Sequence, residues 1–333
     1  MKRNSVIILI WVLVSCLIMC YKYKKDSYDM PFVFERNMVE NETFHFCNEV
    51  DIKEGIGKET FLLNDSIAIF YEQKEGKALF QYYNFNKESV DRIEEAINSD
   101  GVIVSIDDEK YVYVDKYALK SRNIYDSKID LLYEGEVAVF FAHSCNDSVC
   151  LSFGCETNAN TTVTGFYKLV NGTSCLIKGV EESDDEKSKY VNFLSYNGTF
   201  QKNNNYLVYM CEVRSLIYIF DLNGNYVNTI KTKDNIPNPV ISLFNDTYVY
   251  TRGNTFNSNK GTFVENDYIY VLSYRSTNKE NVIIDKYSIE GGNYIDSFMI
   301  PELSCGNSDI DKLYQIGSSI LFYKNGKLFV FKR

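Results

Sequence analysis

The sequence predicts an all-β fold, and within that class a β-propeller of six four-stranded blades. Three observations predict it. The first is a phrase, LIYIFDLNGNYVNTIK (216–231), that reads as strand, tight turn, strand. Leu216 to Phe220 are apolar, mostly β-branched or aromatic, which suits a pleated and largely buried surface. Asp221-Leu222-Asn223-Gly224-Asn225 breaks the run with residues that accept positive φ or bond back onto their own backbone, and Tyr226, Val227 and Ile230 resume a strand. The second is repetition. ALFQYYNFNKESVDRI (78–93), TGFYKLVNGTSCLIKGV (164–180), VIIDKYSIEGGNYIDSFMI (282–300) and ILFYKNGKLFVFKR (320–333) echo the phrase. Gly172 and Gly224 are 52 residues apart and Asn86 lies 86 before Gly172; Gly224 to Gly292 is 68, stretched by the polar insert TRGNTFNSNKGTFVEN (251–266). A drifting period of about 40–55 residues with several short strands each is the propeller pattern. The third is composition: 27 Tyr and 22 Phe, only 4 Pro, and no long helix-period stretch. Five or seven blades are the neighbouring counts. A pair of unrelated β-sandwiches is the competing architecture, but it needs no recurrent unit.

Taken in chain order, the first element is the N-terminal signal. A basic MKRN start precedes the apolar run VIILIWVLVSCLIMC (6–20). A membrane-spanning helix wants about 20 such residues, so this run suits the core of an export signal, assigned to residues 1–20. Leu13-Val14-Ser15-Cys16 matches a lipobox, in which the cysteine is acylated and becomes the new first residue; Cys20 is the second choice. An uncleaved signal anchor between Lys2-Arg3 and YKYKK (21–25) and simple secretion are the other two readings. All three place the body outside the cytoplasm, and the expected location is membrane-anchored in a bacterial cell envelope, facing the periplasm or the cell surface.

Residues 21–41 read as a tether and residues 42–333 as one propeller domain. The chain ends on the hairpin ILFYK/KLFVFK (320–324, 327–332), and two strands do not complete a blade. The alternating segment ETFHFCNEV (42–50), with ETFLLN (59–64) after it, is the free material, so a strand from residues 42–63 is expected to pair within the last blade and close the ring. On this reading, deleting 327–333 unfolds the domain while deleting 21–36 leaves its melting unchanged. Ser89 to Ile97 is a helical candidate by the spacing of Val90, Ile93 and Ile97, or equally a distorted outer strand. VEESDDEKSK (180–189) reads as a solvated loop between blades.

Chemistry-bearing residues are sparse. Beyond Cys16 and Cys20 there are seven cysteines: Cys47, Cys145, Cys150, Cys155, Cys175, Cys211 and Cys305. Within CNDSVCLSFGC (145–155), a spacing of five along a strand turns successive side chains to opposite faces, which disfavours a metal site. Cys145–Cys150 is the candidate disulfide across the turn NDSV, against buried free thiols. The two histidines, His45 and His143, lie in no nucleophile-elbow context, and no phosphate loop or HExxH is present. DLNGNY departs from a calcium loop. The net charge of −10 argues against a nucleic-acid partner. Seven Asn-x-Ser/Thr sequons (Asn41, Asn64, Asn146, Asn160, Asn171, Asn197, Asn245) keep a eukaryotic glycoprotein reading open.

The signal with its lipobox, the segment DSYDMPFVFERNMVEN (26–41) and units such as ENDYIYVLSY…VIIDKYSIEGGNYIDSFMIP resemble the TolB-like six-bladed β-propeller lipoproteins of Bacteroides-type bacteria. The resemblance covers most of the chain from about Phe61 onward and rests on the repeat pattern. It implies fold and envelope location, and it offers no catalytic residue to carry over.

Two functional classes remain. One is a non-catalytic recognition module, tethered to the membrane, that binds a protein, peptide or glycan through its loop face or central channel. The other is a hydrolase or lyase with a carboxylate or calcium site in that channel. Three or more convergent Asp, Glu, Asn or His side chains there would favour the enzyme.

Overall fold

The computed structural model describes residues 32–40, 44–51, 59–64, 67–74, 77–84, 89–96, 101–107, 110–115, 118–123, 128–158, 161–183, 188–316 and 319–332. Two N-terminal strands, β1 (Met38–Val39) and β2 (His45–Asp51), precede the repeats. Sheet I follows as β3 (Glu59–Asn64), β4 (Ile67–Lys74), β5 (Lys77–Asn84) and β6 (Ser89–Ala96). Sheet II is β7 (Gly101–Asp107), β8 (Lys110–Asp115), β9 (Ala118–Asn123) and β10 (Ile129–Glu134). Sheet III is β11 (Val137–Asn146), β12 (Val149–Asn158), β13 (Thr161–Val170) and β14 (Thr173–Ser183), followed by helix α1 (Ser188–Ser195). Sheet IV is β15 (Gly198–Lys202), β16 (Tyr206–Cys211), β17 (Leu216–Asp221) and β18 (Tyr226–Lys231). A small hairpin, β19 (Ile241–Phe244) and β20 (Thr247–Tyr250), interrupts before sheet V. That sheet holds β21 (Asn259–Glu265), β22 (Tyr268–Ser273), β23 (Val282–Ser288) and β24 (Tyr294–Ile300). Sheet VI is β25 (Lys312–Ile316), β26 (Ser319–Lys324) and β27 (Lys327–Lys332).

Each sheet is an antiparallel meander in chain order. The sheets meet through their inner strands in a closed cycle: β3 beside β7, β7 beside β11, β11 beside β15, β16 beside β21, β21 beside β25, and β25 beside β3. The chain is a β-propeller, with the first strand of each sheet lining the axis. Because the strands alternate in direction, the first-to-second and third-to-fourth turns gather on one face of the ring. The second-to-third loops and the sheet-to-sheet connections gather on the other. These are called below the turn face and the crossover face.

Both surfaces of each inner sheet are buried, so period-2 alternation sorts side chains between two cores. In sheet IV, Leu207, Tyr209, Cys211, Tyr218 and Phe220 pack toward sheet III with Phe153 and Phe166. Val208, Met210, Ile217, Ile219 and Ile230 pack toward sheet V with Val264, Ile269 and Val271. The apolar run at 216–220 is therefore a strand with no solvent face. At the axis β21 and β25 approach closely at Gly261, where an added Cβ would lie 2.5 Å from Leu313 Cβ.

Ring closure is as the sequence predicts. β2 pairs antiparallel with β27, His45 opposite Lys332 and Asp51 opposite Lys327, completing sheet VI with a bulge at Cys47. Lys327 and Glu49 form an ion pair across this pairing. The tether expectation needs correction, because residues 33–39 within 21–41 are docked. β1 pairs in parallel with the outer edge of β24, and Arg36 grips Asp285 at 2.7 Å with side chains 7% and 1% exposed. An uncovered edge strand and a buried carboxylate hold the segment down. Ser89–Ala96 forms an outer strand, not a helix, because its partner β5 supplies a full ladder. The acidic stretch 180–189 is also more structured than expected: β14 runs to Ser183 and α1 begins at Ser188. α1 docks through Asn192, whose amide donates to Thr164 Oγ1 at 2.9 Å, and through Phe193 against Phe140 and Phe141.

Candidate functional site

The axis opens on the turn face into a pocket of about 170 Å³ at the ends of the inner strands of sheets IV, V and VI. Its wall is Lys202 at the end of β15 with Asn203, Asn204 and Asn205 of the following turn, and Val264 and Glu265 at the end of β21 with Asn266 of the turn after it. Gln315, Ile320, Phe263 and Phe44 complete it. Two glutamines link the strands around it. Gln201 reaches from β15 to accept from Thr262 Oγ1 at 2.8 Å and donate to the Leu313 carbonyl at 2.8 Å. Gln315 accepts from Val264 N at 2.9 Å and donates to its carbonyl at 2.7 Å. These amides tie the inner strands of sheets IV, V and VI together beside the pocket, which forms a small cup on the turn face.

The sequence sets the rim in place by turn chemistry. Asn203 Oδ1 accepts from the backbone N–H of Asn205 (2.9 Å) and Tyr206 (2.7 Å), while Nδ2 donates to the Val264 carbonyl at 3.3 Å. This Asx-type turn leaves Asn204 and Asn205 exposed at the lip. Asn266 faces them from a left-handed turn position, φ 52°. Ligand pockets usually enclose roughly 300–1,000 Å³, so this cup holds one ring or side chain rather than a whole ligand. Asparagines satisfy the numerical threshold of three convergent side chains. With Glu265 beside them the count is met; among the described residues of the lining Asn203 is engaged by backbone bonds and Glu265 is the one carboxylate. Among the described residues no group of three or more His, Cys, Asp or Glu could hold a metal ion. The rim offers amide hydrogen bonds beside one carboxylate, Glu265, and one ammonium, Lys202.

The residues singled out in the sequence fall elsewhere. Cys16 and Cys20 lie outside the described residues. Cys145 and Cys150 are free, buried thiols rather than a disulfide. They face opposite sides of sheet III: Cys145 packs with Leu151, Phe153 and Phe220, and Cys150 with Val112, Leu119 and Tyr167. Burial pushes the Cys145 thiol up to about 12, and raises that of Cys150 as well. His45 is exposed on β2, and His143 is buried with Nδ1 3.0 Å from the Ser144 carbonyl. Asp221 in DLNGNY accepts from the backbone of Asn223 at 2.9 Å and Asn225 at 2.8 Å, and from Asn225 Nδ2 at 2.9 Å. Burial raises its carboxyl, but these donors outweigh it and the net shift is downward, so turn chemistry accounts for the motif without an ion. The sequon residues Asn146 and Asn197 use their amides on Leu222 O and Glu212 Oε2. The pocket residues were missed by sequence reasoning. Their one signal was a pair of Asn-containing turns, 203–205 and 266, before the second strands of adjacent units.

No protein-family model matches the chain, and no curated protein matches it in sequence. Among solved structures it is similar to a streptogramin B lyase at 11% identity, over 87% of this chain and 98% of that one, with a TM-score of 0.43. It is similar to a DUF4221-family protein of Bacteroides vulgatus at 11% identity, over 90% and 98%, TM-score 0.43. Regucalcin, a calcium-binding protein of Agrobacterium tumefaciens, is similar at 12% identity over 86% and 93%, TM-score 0.40. These are likenesses of fold, and none assigns a site or an activity to this chain.

Proposed function

We propose that this protein is a non-catalytic recognition module, held at a bacterial membrane by its N-terminus, that binds a glycan through the amide-rimmed cup on its turn face. The observation that carries the reading is the cup itself: hydrogen-bonding amides on an apolar floor, of a size for one sugar ring. A protein or peptide side chain is the other occupant of that size. Lipidation at Cys16, or failing that Cys20, and kinship with TolB-like envelope lipoproteins belong to the same proposal and rest on the lipobox and repeat pattern.

A glycan array probed with the full chain and with Asn204→Ala/Asn266→Ala tests the binding. The wild-type chain should retain a subset of glycans that the double variant loses. Retention by both would remove the cup from the reading, and release of a shortened glycan would replace it with the hydrolase or lyase. Labelled fatty acid incorporated by the wild type, and lost in Cys16→Ser/Cys20→Ser, tests the anchor.

A further inference from the structure

The rim and the floor of the cup differ in kind, and together they select one chemical group. On the rim, Asn204, Asn205 and Asn266 are exposed, and among the described residues none of the three makes a side-chain hydrogen bond. Each presents a carbonyl acceptor and an NH2 donor side by side. Asn203 and Gln315 are instead held by backbone groups and fix the shape of the cup.

The floor is apolar but almost closed: Phe44 is 4% exposed, Phe263 2% and Ile320 2%. The ring faces are taken up by other rings. Phe263 stacks on Tyr270 at 4.6 Å with 6° between the planes, while Phe44 meets Phe263 edge-on at 5.1 Å and stacks on Phe298 at 6.1 Å. A pyranose is commonly held by laying its C–H face on an open aromatic ring, and neither phenylalanine offers one. The floor exposes a few apolar atoms, the footprint of a methyl group, at the bottom of a cup of about 170 Å³. Hydroxyls gain nothing from such a floor. An acetamido group does: its methyl meets the floor, its carbonyl accepts from one asparagine Nδ2, and its N–H donates to the Oδ1 of another. The third rim amide is left for a ring hydroxyl.

We infer that the cup recognises the N-acetyl group of a 2-acetamido sugar, with Asn204 and Asn266 as its hydrogen-bonding pair. The inference rests on the glycan reading above. An acetylated lysine carries the same group, but it would bring a four-carbon apolar stem to the level of the rim. There the described lining is Asn204, Asn205, Asn266, Lys202 and Glu265, which suits ring hydroxyls and gives the stem no apolar wall. Selection for the acetylated form also runs against the charge of the chain. A free amino sugar is a cation, and a net charge of −10 attracts it without any cup.

Saturation-transfer NMR on the full chain is the test. The probes are methyl glycosides of N-acetylglucosamine, N-acetylgalactosamine and N-acetylmannosamine, each beside its free-amine and its 2-hydroxy counterpart, with an acetyl-lysine peptide. At least one acetamido sugar should bind, its acetyl methyl the most strongly saturated. Its Kd should be lower than that of either counterpart by roughly tenfold or more, from one buried methyl and one amide hydrogen bond. Asn204→Asp and Asn266→Asp each remove a donor while keeping side-chain size and, at 266, tolerance of the positive φ, and each should weaken that sugar. Equal binding of acetamido and 2-hydroxy sugars overturns the inference and leaves the glycan reading standing. Preference for the free amine, lost in salt, shows attraction by charge and overturns it too. Acetamido binding untouched by both variants places the group outside the cup and overturns it. Binding of the acetyl-lysine peptide with no sugar bound ends both readings. If nothing in the panel binds, the inference falls and the glycan array decides the glycan reading alone: retained glycans without an acetamido group keep it, and an empty array ends it.

Discussion

Replacing Arg36 with methionine should cost about 3–5 kcal/mol of stability, although the residue sits in a stretch that reads as a tether. The guanidinium donates to Asp285 Oδ1 at 2.7 Å, to Oδ2 at 3.0 Å and to the Arg275 carbonyl at 2.8 Å. Without it, Asp285 keeps the Ser297 hydroxyl, at 2.6 Å, as its side-chain donor among the described residues, in a site where it is 1% exposed. Removing one partner of a buried pair leaves an uncompensated charge, hence the magnitude. Burial already raises the Asp285 carboxyl above its ordinary value, and Arg36 and Ser297 oppose that rise. An acid whose folded pKa exceeds its unfolded one binds more protons folded than unfolded, so its contribution falls as pH rises through that window. Arg36→Met removes the opposition and widens the window. The variant's deficit should be greatest at neutral pH and shrink as pH falls toward the ordinary carboxylate range. Arg36→Met/Asp285→Asn should recover most of the loss. Equilibrium urea unfolding across that pH range is the measurement. A deficit below about 1 kcal/mol, the level of a surface pair, or one that does not shrink in acid, would refute the reasoning and restore the tether.

Deleting residues 327–333 removes the strand that partners both β26 and β2. It should abolish the cooperative melting transition seen by circular dichroism; a truncation that melts like the full chain would show closure by other means. Brief alkylation of the folded protein should modify the exposed Cys47 and Cys175 and spare Cys145, Cys150, Cys155, Cys211 and Cys305 until denaturant is added. Thiolate is the reactive form and burial raises both Cys145 and Cys211 to about 12, so early mass gain on the buried set would contradict the packing. Gly261→Ala forces a Cβ to within 2.5 Å of Leu313 Cβ at the axis and should cost about 1–3 kcal/mol in urea unfolding. An unchanged midpoint would mean that β21 and β25 are not so close.

What was legible in the sequence was what period-2 patterning and turn chemistry determine locally. Ile217 and Ile219 face one core and Tyr218 and Phe220 the other, as the run at 216–220 implies. The closing strand was legible because a terminal hairpin lacked an outer partner and 42–50 alternated. Val90, Ile93 and Ile97 fit a helix as well as a strand, and only the ladder with β5 decides between them. β1 was invisible because two residues of parallel pairing carry no period. α1 is one eight-residue helix beside an acidic run, below the length at which a repeat stands out. The cup was hidden for another reason: Asn203 and Asn266 are turn-formers in their own units, and their convergence depends on how neighbouring inner strands are staggered round the ring.

The same stagger explains why the N-terminal chain matters beyond closure. β1 lengthens the outer edge of sheet V and β2 completes the outer edge of sheet VI, so one short stretch spans the boundary between them. Phe44, between the two strands, is buried at that boundary, with Phe263 at 5.1 Å, Tyr270 at 5.7 Å and Phe298 at 6.1 Å. Phe44 also lines the floor of the cup, as do Phe263 and Ile320. The residues that staple sheet V to sheet VI are therefore those that shape the cup's apolar floor. The N-terminal stretch that pairs with both sheets thus also shapes the cup.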